Sequence, residues 1–209
     1  MSNTNYYFIA YAADKGSPEH ISMEINHPEW EWNTYEPNPD AIRIEKDYAI
    51  KITDKNIKEI RLDLYGTNTY FVSDKFINAC DELNVKYRKI PIEIILYNGE
   101  HIPKNYYILL PAQSLALLDT EKSIFQTEED IETGKPVINK LFPHTHVYSW
   151  IKKFSPIDTN LDLFRCTETM ELACSERFKK ALEKRQASNI KFRPVDESYR
   201  YDPWGDISE

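Results

Sequence analysis

Glycine is scarce in this sequence, and its scarcity argues against several kinds of active site. Only 5 of the 209 residues are glycine. The glycine-rich spacings that cradle phosphates, G-x-x-x-x-G-K-[ST] and G-x-G-x-x-G, do not occur. The G-x-S-x-G turn that carries the nucleophilic serine of many hydrolases is also absent. The sequence therefore gives no support for a nucleotide-binding loop or for an α/β-hydrolase site.

Cysteine is sparse too. Cys80, Cys166 and Cys174 are an odd number and include no C-x-x-C pair, which argues against a disulfide framework. Cys80 and Cys174 fall in apolar segments. We therefore expect buried, reduced thiols.

Long hydrophobic runs are missing. No apolar run approaches the roughly 20 residues that a membrane-spanning helix needs. Residues 1–15 lack the basic segment followed by an apolar segment that marks a secretion signal. We therefore expect a cytoplasmic protein that does not associate with a membrane.

The charge is negative and unevenly distributed. The net charge is −8, and residues 16–42 hold six acids without a single lysine or arginine. Residues 196–209 hold five more acids and one arginine. A negative field repels nucleic acid and attracts cationic surfaces. We expect no nucleic acid partner, and a protein partner that is basic where it makes contact.

The sequence contains a degenerate internal repeat with copies about a hundred residues apart. The first copy runs from Tyr70 to Pro91 and the second from Glu171 to Val195. Matching positions are Ser73 and Ser175, Phe76 and Phe178, Ala79 and Ala181, and Arg88 and Arg193.

Each copy has the pattern of a strand, a capped helix and a second strand. Ser73 and Ser175 are suitable helix N-caps, and the apolar residues that follow each serine share one helical face. The repeat predicts two similar helix–strand units, residues 73–92 and 175–195, with Phe76 and Phe178 buried at equivalent positions. Chance similarity between two amphipathic helices is the alternative.

Outside the repeat, the patterns favour a strand-rich protein. Strands are predicted at residues 5–13, 48–52, 60–65, 106–110, 137–142 and 161–166, and residues 119–135 are predicted to be a loop. The predicted class is α+β, with strand-rich mixed sheets and two principal helices. We expect one domain over residues 1–209. It would comprise N-terminal strands and an acidic loop at 1–60, a core at 60–196 and an acidic tail at 197–209.

Residues that could catalyse a reaction or bind a metal are few. His144 and His146 share one face if the chain is extended there, but no cysteine or carboxylate completes a zinc spacing nearby. The carboxylates of residues 128–130 have no adjacent histidine and are typical of a solvated loop. We expect no catalytic residue, no metal and no cofactor.

The segment around Trp30 and Trp32 has the composition of a protein interface. Tryptophans often anchor interfaces, and neighbouring acids select a cationic partner. The candidate partner-binding residues are Glu29, Trp30, Glu31, Trp32, Tyr35, Glu36 and Asp40. The alternative is a loop whose two tryptophans plug the edge of the core.

The order of several weak motifs resembles an immunity-protein family of bacterial polymorphic toxin systems, first described from a myxobacterial immunity domain. The resemblance covers residues 60–196. Its motifs here are Val72-Ser73-Asp-Lys-Phe76, Ile90-Pro91-Ile92, Asp119-Thr-Glu-Lys-Ser123, Leu163-Phe164-Arg165, Ser175-Glu-Arg177-Phe178 and Phe192-Arg-Pro194-Val195.

The resemblance implies a non-enzymatic inhibitor that binds a cognate toxin domain in the cytoplasm and neutralises it. It does not identify the toxin or the contact residues. Two other hypotheses stay open. One is an enzyme with an unrecognised site near His144 and His146, and the other is an adaptor that uses the repeat as a binding platform.

Overall fold

A computed structural model describes residues 5–14 and 17–205. Within these residues it has two α-helices, a short 3-10 helix at Pro39–Ala41 and thirteen strands. The helices are α1 (Asp74–Glu82) and α2 (Glu176–Lys184). The strands are β1 (Tyr6–Tyr11), β2 (Met23–Ile25), β3 (Tyr48–Ile52), β4 (Leu64–Tyr65), β5 (Tyr70–Ser73), β6 (Tyr87–Ile95), β7 (Tyr106–Pro111), β8 (Ser114–Leu115), β9 (Ile124–Thr127), β10 (Tyr148–Lys153), β11 (Leu163–Cys166), β12 (Leu172–Ser175) and β13 (Ile190–Pro194). The predicted α+β class is confirmed.

The chain divides into two compact units. The first unit comprises residues 5–9, 113–177 and 192–205 of the described chain, and the second comprises residues 10–112 and 178–191. The prediction of a single domain over residues 1–209 stays a prediction.

The second unit contains a six-stranded mixed sheet in the order β2-β3-β6-β7-β5-β4. Strand β6 pairs in parallel with β3 and antiparallel with β7. Along β6 the buried residues Ile90, Ile92 and Ile94 alternate with exposed ones, because successive side chains of a strand point to opposite faces. These isoleucines pack with Ile50 and Ile108 in the apolar core of this unit.

The first unit has an aromatic core. Phe8, Phe154, Phe164 and Tyr199 are all buried in it. The strands are ordered β13-β1-β12-β11-β8 in a five-stranded sheet, and β9 pairs with β10 in a separate two-stranded sheet. In the five-stranded sheet, β1 and β11 flank β12 and run antiparallel to it.

Both copies of the repeat form the predicted strand–helix–strand order. Copy one is β5-α1-β6 and copy two is β12-α2-β13, and each helix has nine residues. Phe76 and Phe178 are completely buried, as predicted. Their rings contact each other edge to face, with centroids 5.4 Å apart. The Ser73 hydroxyl accepts a hydrogen bond from the Lys75 amide and caps α1.

The two helices also end in the same way. Asn84 and Gln186, each two residues beyond its helix, have a left-handed backbone with φ of 53°. Val85 then donates its amide proton to the Cys80 carbonyl at 2.9 Å, and the amide of Ala187 reaches the carbonyl of Leu182 at 3.0 Å. This is the Schellman arrangement, in which glycine is the usual left-handed residue.

Three local predictions differ from the structure. Residues 137–142 form no strand and contribute only an isolated bridge between Ile138 and His146. The predicted 119–135 loop contains β9, because pairing with β10 supplies backbone hydrogen bonds that a polar sequence does not reveal. Of the predicted 60–65 strand, only Leu64 and Tyr65 are paired.

The first residues of the expected acidic tail, 197–209, pack on the core of the first unit. Tyr199 is buried, and Ile151 and Tyr201 exchange two backbone hydrogen bonds of 2.8 and 3.0 Å. The apolar area of these tyrosines keeps the segment on the sheet despite its acids. Residues 206–209 of that segment lie outside the described residues.

The cysteines agree with the prediction. Cys80, Cys166 and Cys174 are free thiols, and all three are buried. Among residues 5–14 and 17–205, no helix has the length and apolar character needed to cross a bilayer.

The ring contact between Phe76 and Phe178 predicts coupled stability effects. Phe76→Ala and Phe178→Ala should each lower the free energy of unfolding by about 3–5 kcal/mol, because each leaves a cavity in a packed site. The double variant should lose less than the sum, by about 0.5–1.5 kcal/mol, since the pair interaction is lost only once. Urea unfolding of the four proteins measures this. The exposed Tyr97 supplies the control, as Tyr97→Ala should change stability by about 0.5 kcal/mol or less.

The left-handed helix ends predict a stabilising substitution. Gln186→Gly should raise the free energy of unfolding by about 0.5–1 kcal/mol, because the relief of left-handed strain exceeds the extra entropy of unfolded glycine. Asn84→Gly should gain less, since asparagine tolerates this conformation better. A thermal unfolding series in which Gln186→Gly is neutral or destabilising would contradict the assignment.

Candidate partner-binding surface and buried carboxylates

The two tryptophans of the candidate segment pack on the core of the second unit. Trp32 is 8% exposed, and Trp30 is half-buried. Their rings stack with centroids 4.9 Å apart, and each lies 5.1 Å from the ring of Tyr48. The tryptophans therefore hold this segment on the sheet, which is the alternative that the sequence left open.

Glu31 is fixed within the structure. Its carboxylate accepts hydrogen bonds from the backbone amides of Glu45 and Lys46 and from the Tyr48 hydroxyl, at 3.0–3.2 Å. Desolvation raises the pKa of Glu31, but these donors outweigh it and hold the pKa below its usual value. Glu31 thus ties the acidic segment to the chain that enters β3.

Other candidate residues present charge outward. Glu29 and Asp40 are exposed, and Glu36 is half-buried with its carboxylate accepting from the Asn38 amide at 3.1 Å. Tyr35 is also half-buried, and its hydroxyl lies 3.2 Å from the Asn68 side-chain oxygen. The segment is an ordered surface on which Glu29 and Asp40 are the accessible carboxylates.

The histidine pair is exposed on both sides of a buried threonine. His144 and His146 face solvent, while the Thr145 hydroxyl lies 2.7 Å from that of Thr167. His144 lies in a turn and not in an extended strand, so the prediction that the two histidines share one face stays a prediction. Within the described ranges, no group of three or more histidine, cysteine or acidic side chains has the geometry of a metal site.

Asp63 is the most extensively hydrogen-bonded carboxylate in the second unit. Its side chain is 1% exposed and lies 2.5 Å from the Ser73 hydroxyl, 2.8 Å from the Ser188 amide and 3.0 Å from the Lys104 ammonium. Lys75 makes a longer contact of 3.3 Å. Burial raises the pKa of Asp63, but the donors from Ser73, Ser188 and Lys104 outweigh it and lower the pKa. The carboxylate is held ionised at the start of α1.

Asp162 has the equivalent position in the second copy of the repeat. Its carboxylate accepts from the Ser175 hydroxyl at 2.5 Å and from the Arg177 guanidinium at 2.7 Å. Ser175 also donates its amide proton to the Asp162 carbonyl at 3.0 Å, as Ser73 does to that of Asp63 at 3.3 Å. In each copy, the aspartate therefore accepts a hydrogen bond from the serine that precedes the helix. A cationic side chain follows that serine by two residues.

Sequence reasoning missed these aspartates, although a signal was present. Leu62-Asp63-Leu64-Tyr65 matches Leu161-Asp162-Leu163-Phe164. In each copy the residue after the aspartate pairs with the residue before the serine, in the antiparallel pairs Leu64–Val72 and Leu163–Cys174. The repeat thus includes a preceding strand, and loops of unequal length between aspartate and serine concealed it.

A third buried acid lies in the first unit. Glu168 is 5% exposed and accepts hydrogen bonds from the Leu118 amide at 2.7 Å and the Cys166 thiol at 3.0 Å. Burial raises the pKa of Glu168 and raises that of Cys166 well above its usual value. A neutral, buried thiol is a poor nucleophile. This pair therefore fixes the end of β11 against the chain that follows β8.

A comparison with models of protein families assigns the chain to one family. The model of one family, immunity protein 43, matches residues 19–202. The chain belongs to the immunity protein 43 family. The match includes the acidic segment at residues 29–40 as well as the repeat. The similarity to the family therefore extends beyond residues 60–196 at both ends. The resemblance to an immunity protein family is confirmed, and no curated protein matches the chain.

The lowered pKa of Asp63 predicts a pH-dependent contribution to stability. A carboxyl with a folded pKa below its unfolded pKa stabilises the protein above the unfolded value and loses that contribution as the pH falls through the folded value. Asp63→Asn should therefore lower the free energy of unfolding by about 1.5–3 kcal/mol at pH 7. The difference from wild type should shrink below about pH 4. Denaturant unfolding between pH 2 and 7 measures both effects.

The exposed Asp47 provides the matched control. Asp47→Asn should leave the stability nearly unchanged over the same pH range. If the free energy of unfolding differs between wild type and Asp63→Asn by the same amount down to pH 2, the hydrogen bonds to Asp63 do not depend on its charge.

Proposed function

We propose that this protein binds a cognate bacterial toxin domain in the cytoplasm and neutralises it. The observation that carries the proposal is the family match, since the matched family is one of immunity proteins and the match spans residues 19–202. A cell that makes a toxin needs such a protein in the compartment where the toxin would act.

Inhibition by binding agrees with the arrangement of the buried ionisable groups. Asp63 and Asp162 are engaged by serine and basic side chains at the starts of the two helices. The Cys166 thiol donates a hydrogen bond to the Glu168 carboxylate in the core. These groups hold secondary structure in place, and we assign them no catalytic role.

The partner that we propose is basic at its contact surface. The chain carries a net charge of −8, which disfavours a nucleic acid or an anionic membrane and favours a cationic protein. We propose that the ordered segment Glu29–Asp40 contributes to this contact through the exposed carboxylates of Glu29 and Asp40. Trp30 and Trp32 would act indirectly by holding the segment in place, as would Glu31.

Co-expression with a toxin tests the function. Cells that produce the cognate toxin domain, to be sought first in the neighbouring reading frames, should survive when the wild-type chain is also present and die without it. The purified chain and toxin domain should form a stable complex in size-exclusion chromatography. Lack of both protection and complex formation would contradict the proposed function.

Association kinetics test the proposed surface. Glu29→Lys with Asp40→Lys should slow association about tenfold at low salt and change dissociation little, because exposed charges steer encounter. At 0.15 M salt the difference should narrow, since such charges are screened beyond about 8 Å. Stopped-flow mixing with the toxin domain measures the rates.

The matched control reverses two exposed acids outside the segment, Glu100→Lys with Glu183→Lys. It makes the same change in net charge and should slow association less. If both double variants behave alike, only net charge matters and the segment has no specific role. Trp30→Ala or Trp32→Ala would not serve here, because the loss of core packing would affect folding.

A further inference from the structure

The described chain exposes several large apolar side chains, and most of them lie in one stretch of the first unit. Ile131 is fully exposed and Ile124 is 52% exposed. Ile138 and Leu141 are 46% and 39% exposed. Four large exposed apolar side chains between residues 124 and 141 make this stretch the first candidate for a surface that another protein covers. Of the two tryptophans of the acidic segment, by contrast, Trp32 is buried in the core and Trp30 is half-buried against it.

Ile131 lies at the tip of a hairpin that we call the finger, residues 128–139. The Val137 amide donates to the Glu128 carbonyl at 2.8 Å, and the Asp130 amide donates to the Lys135 carbonyl at 2.9 Å. At the tip, Gly134 donates its amide proton to the Asp130 carbonyl at 2.8 Å, and its φ is 65°. The finger is therefore an ordered backbone element.

The tip is fixed by a side chain as well. The Asp130 carboxylate accepts from both the amide and the hydroxyl of Thr133, each at 2.8 Å. These hydrogen bonds lower the pKa of Asp130 because they favour its ionised carboxylate. A pre-ordered tip reduces the conformational entropy lost on binding. Ile131 is thus displayed in a conformation that a partner need not organise.

The finger surrounds this isoleucine with negative charge. Residues 128–139 hold four carboxylates and one lysine. Glu129 and Glu132, on either side of Ile131, are exposed, and among the described residues neither takes part in an ion pair. A second acidic finger would be repelled, so charge complementarity favours a cationic partner over another copy of the chain.

We propose that the finger inserts into a cationic cleft of the toxin domain, with Ile131 entering an apolar pocket and Glu129 and Glu132 contacting basic side chains on its walls. This inference rests on the proposed function and names the part of the surface that supplies the apolar anchor. The finger contact does not depend on the segment of residues 29–40, which would contribute charge to the interface but no apolar anchor.

Three finger variants test the proposal against the purified cognate toxin domain. Ile131→Asp should speed dissociation about 30-fold or more, as expected for the loss of an interface hot spot, whereas Ile131→Leu should keep dissociation within a few-fold of wild type. Glu129→Lys with Glu132→Lys should slow association about tenfold at low salt and less at high salt. All three variants should keep the wild-type unfolding midpoint, because the altered side chains are exposed.

The turn at Asn98–Gly99 in the second unit supplies the matched controls. Tyr97 is 56% exposed there and Glu100 is exposed, so Tyr97→Asp repeats the apolar change elsewhere. Glu100→Lys with the exposed Glu183→Lys repeats the change in net charge. Tyr97→Asp should bind the toxin domain like wild type, and the charge control should slow association less than the finger variant does. Wild-type kinetics for the finger variants, alongside a wild-type chain that protects cells, would overturn this inference and leave the proposed function standing. A wild-type chain that neither protects nor binds would overturn both.

Discussion

Each helix of the repeat depends on a buried hydrogen bond between a serine hydroxyl and an aspartate carboxylate. The bond is 2.5 Å long both between Ser73 and Asp63 and between Ser175 and Asp162. In each copy the serine ends one strand and precedes the helix, and the aspartate immediately precedes the strand paired with it. One bond thus fixes the turn from strand to helix, and in the second unit the fixed helices bring Phe76 against Phe178. Without partners such a buried carboxylate would be costly, which is why serine and basic donors accompany both aspartates.

Most of the repeat could be predicted because its signals are local. N-capping serines, a periodic apolar face and alternating strands specify α1, α2 and the following strands. Alternation likewise predicted the Tyr48–Ile52 strand to the residue. The β9–β10 pair and the packing of Tyr199 were missed because they depend on contacts distant in sequence, which override local polarity. The aspartates of both copies were missed because the loops between aspartate and serine differ in length.

The candidate surface was predictable in composition but not in detail. A cluster of acids beside Trp30 and Trp32 is visible in the sequence, yet sequence alone does not tell an exposed tryptophan from one that packs on Tyr48. Glu31 likewise has the same appearance in the sequence as Glu29, although it bonds to backbone amides while Glu29 faces solvent. The finger was predicted only as part of a solvated loop, because one isoleucine among acids carries no periodic signal. Its importance comes from full exposure on an ordered turn, which is a tertiary property.

We propose that this member of the immunity protein 43 family neutralises its toxin by occupying it rather than by altering it chemically. Titration of a fixed amount of the purified toxin domain with the purified chain, with toxin activity as the readout, distinguishes these two modes. Inhibition by occupancy should give a linear fall in activity that ends at a fixed molar ratio and does not change with incubation time. Activity that continues to fall with time at sub-stoichiometric amounts of the chain would show turnover and contradict inhibition by binding.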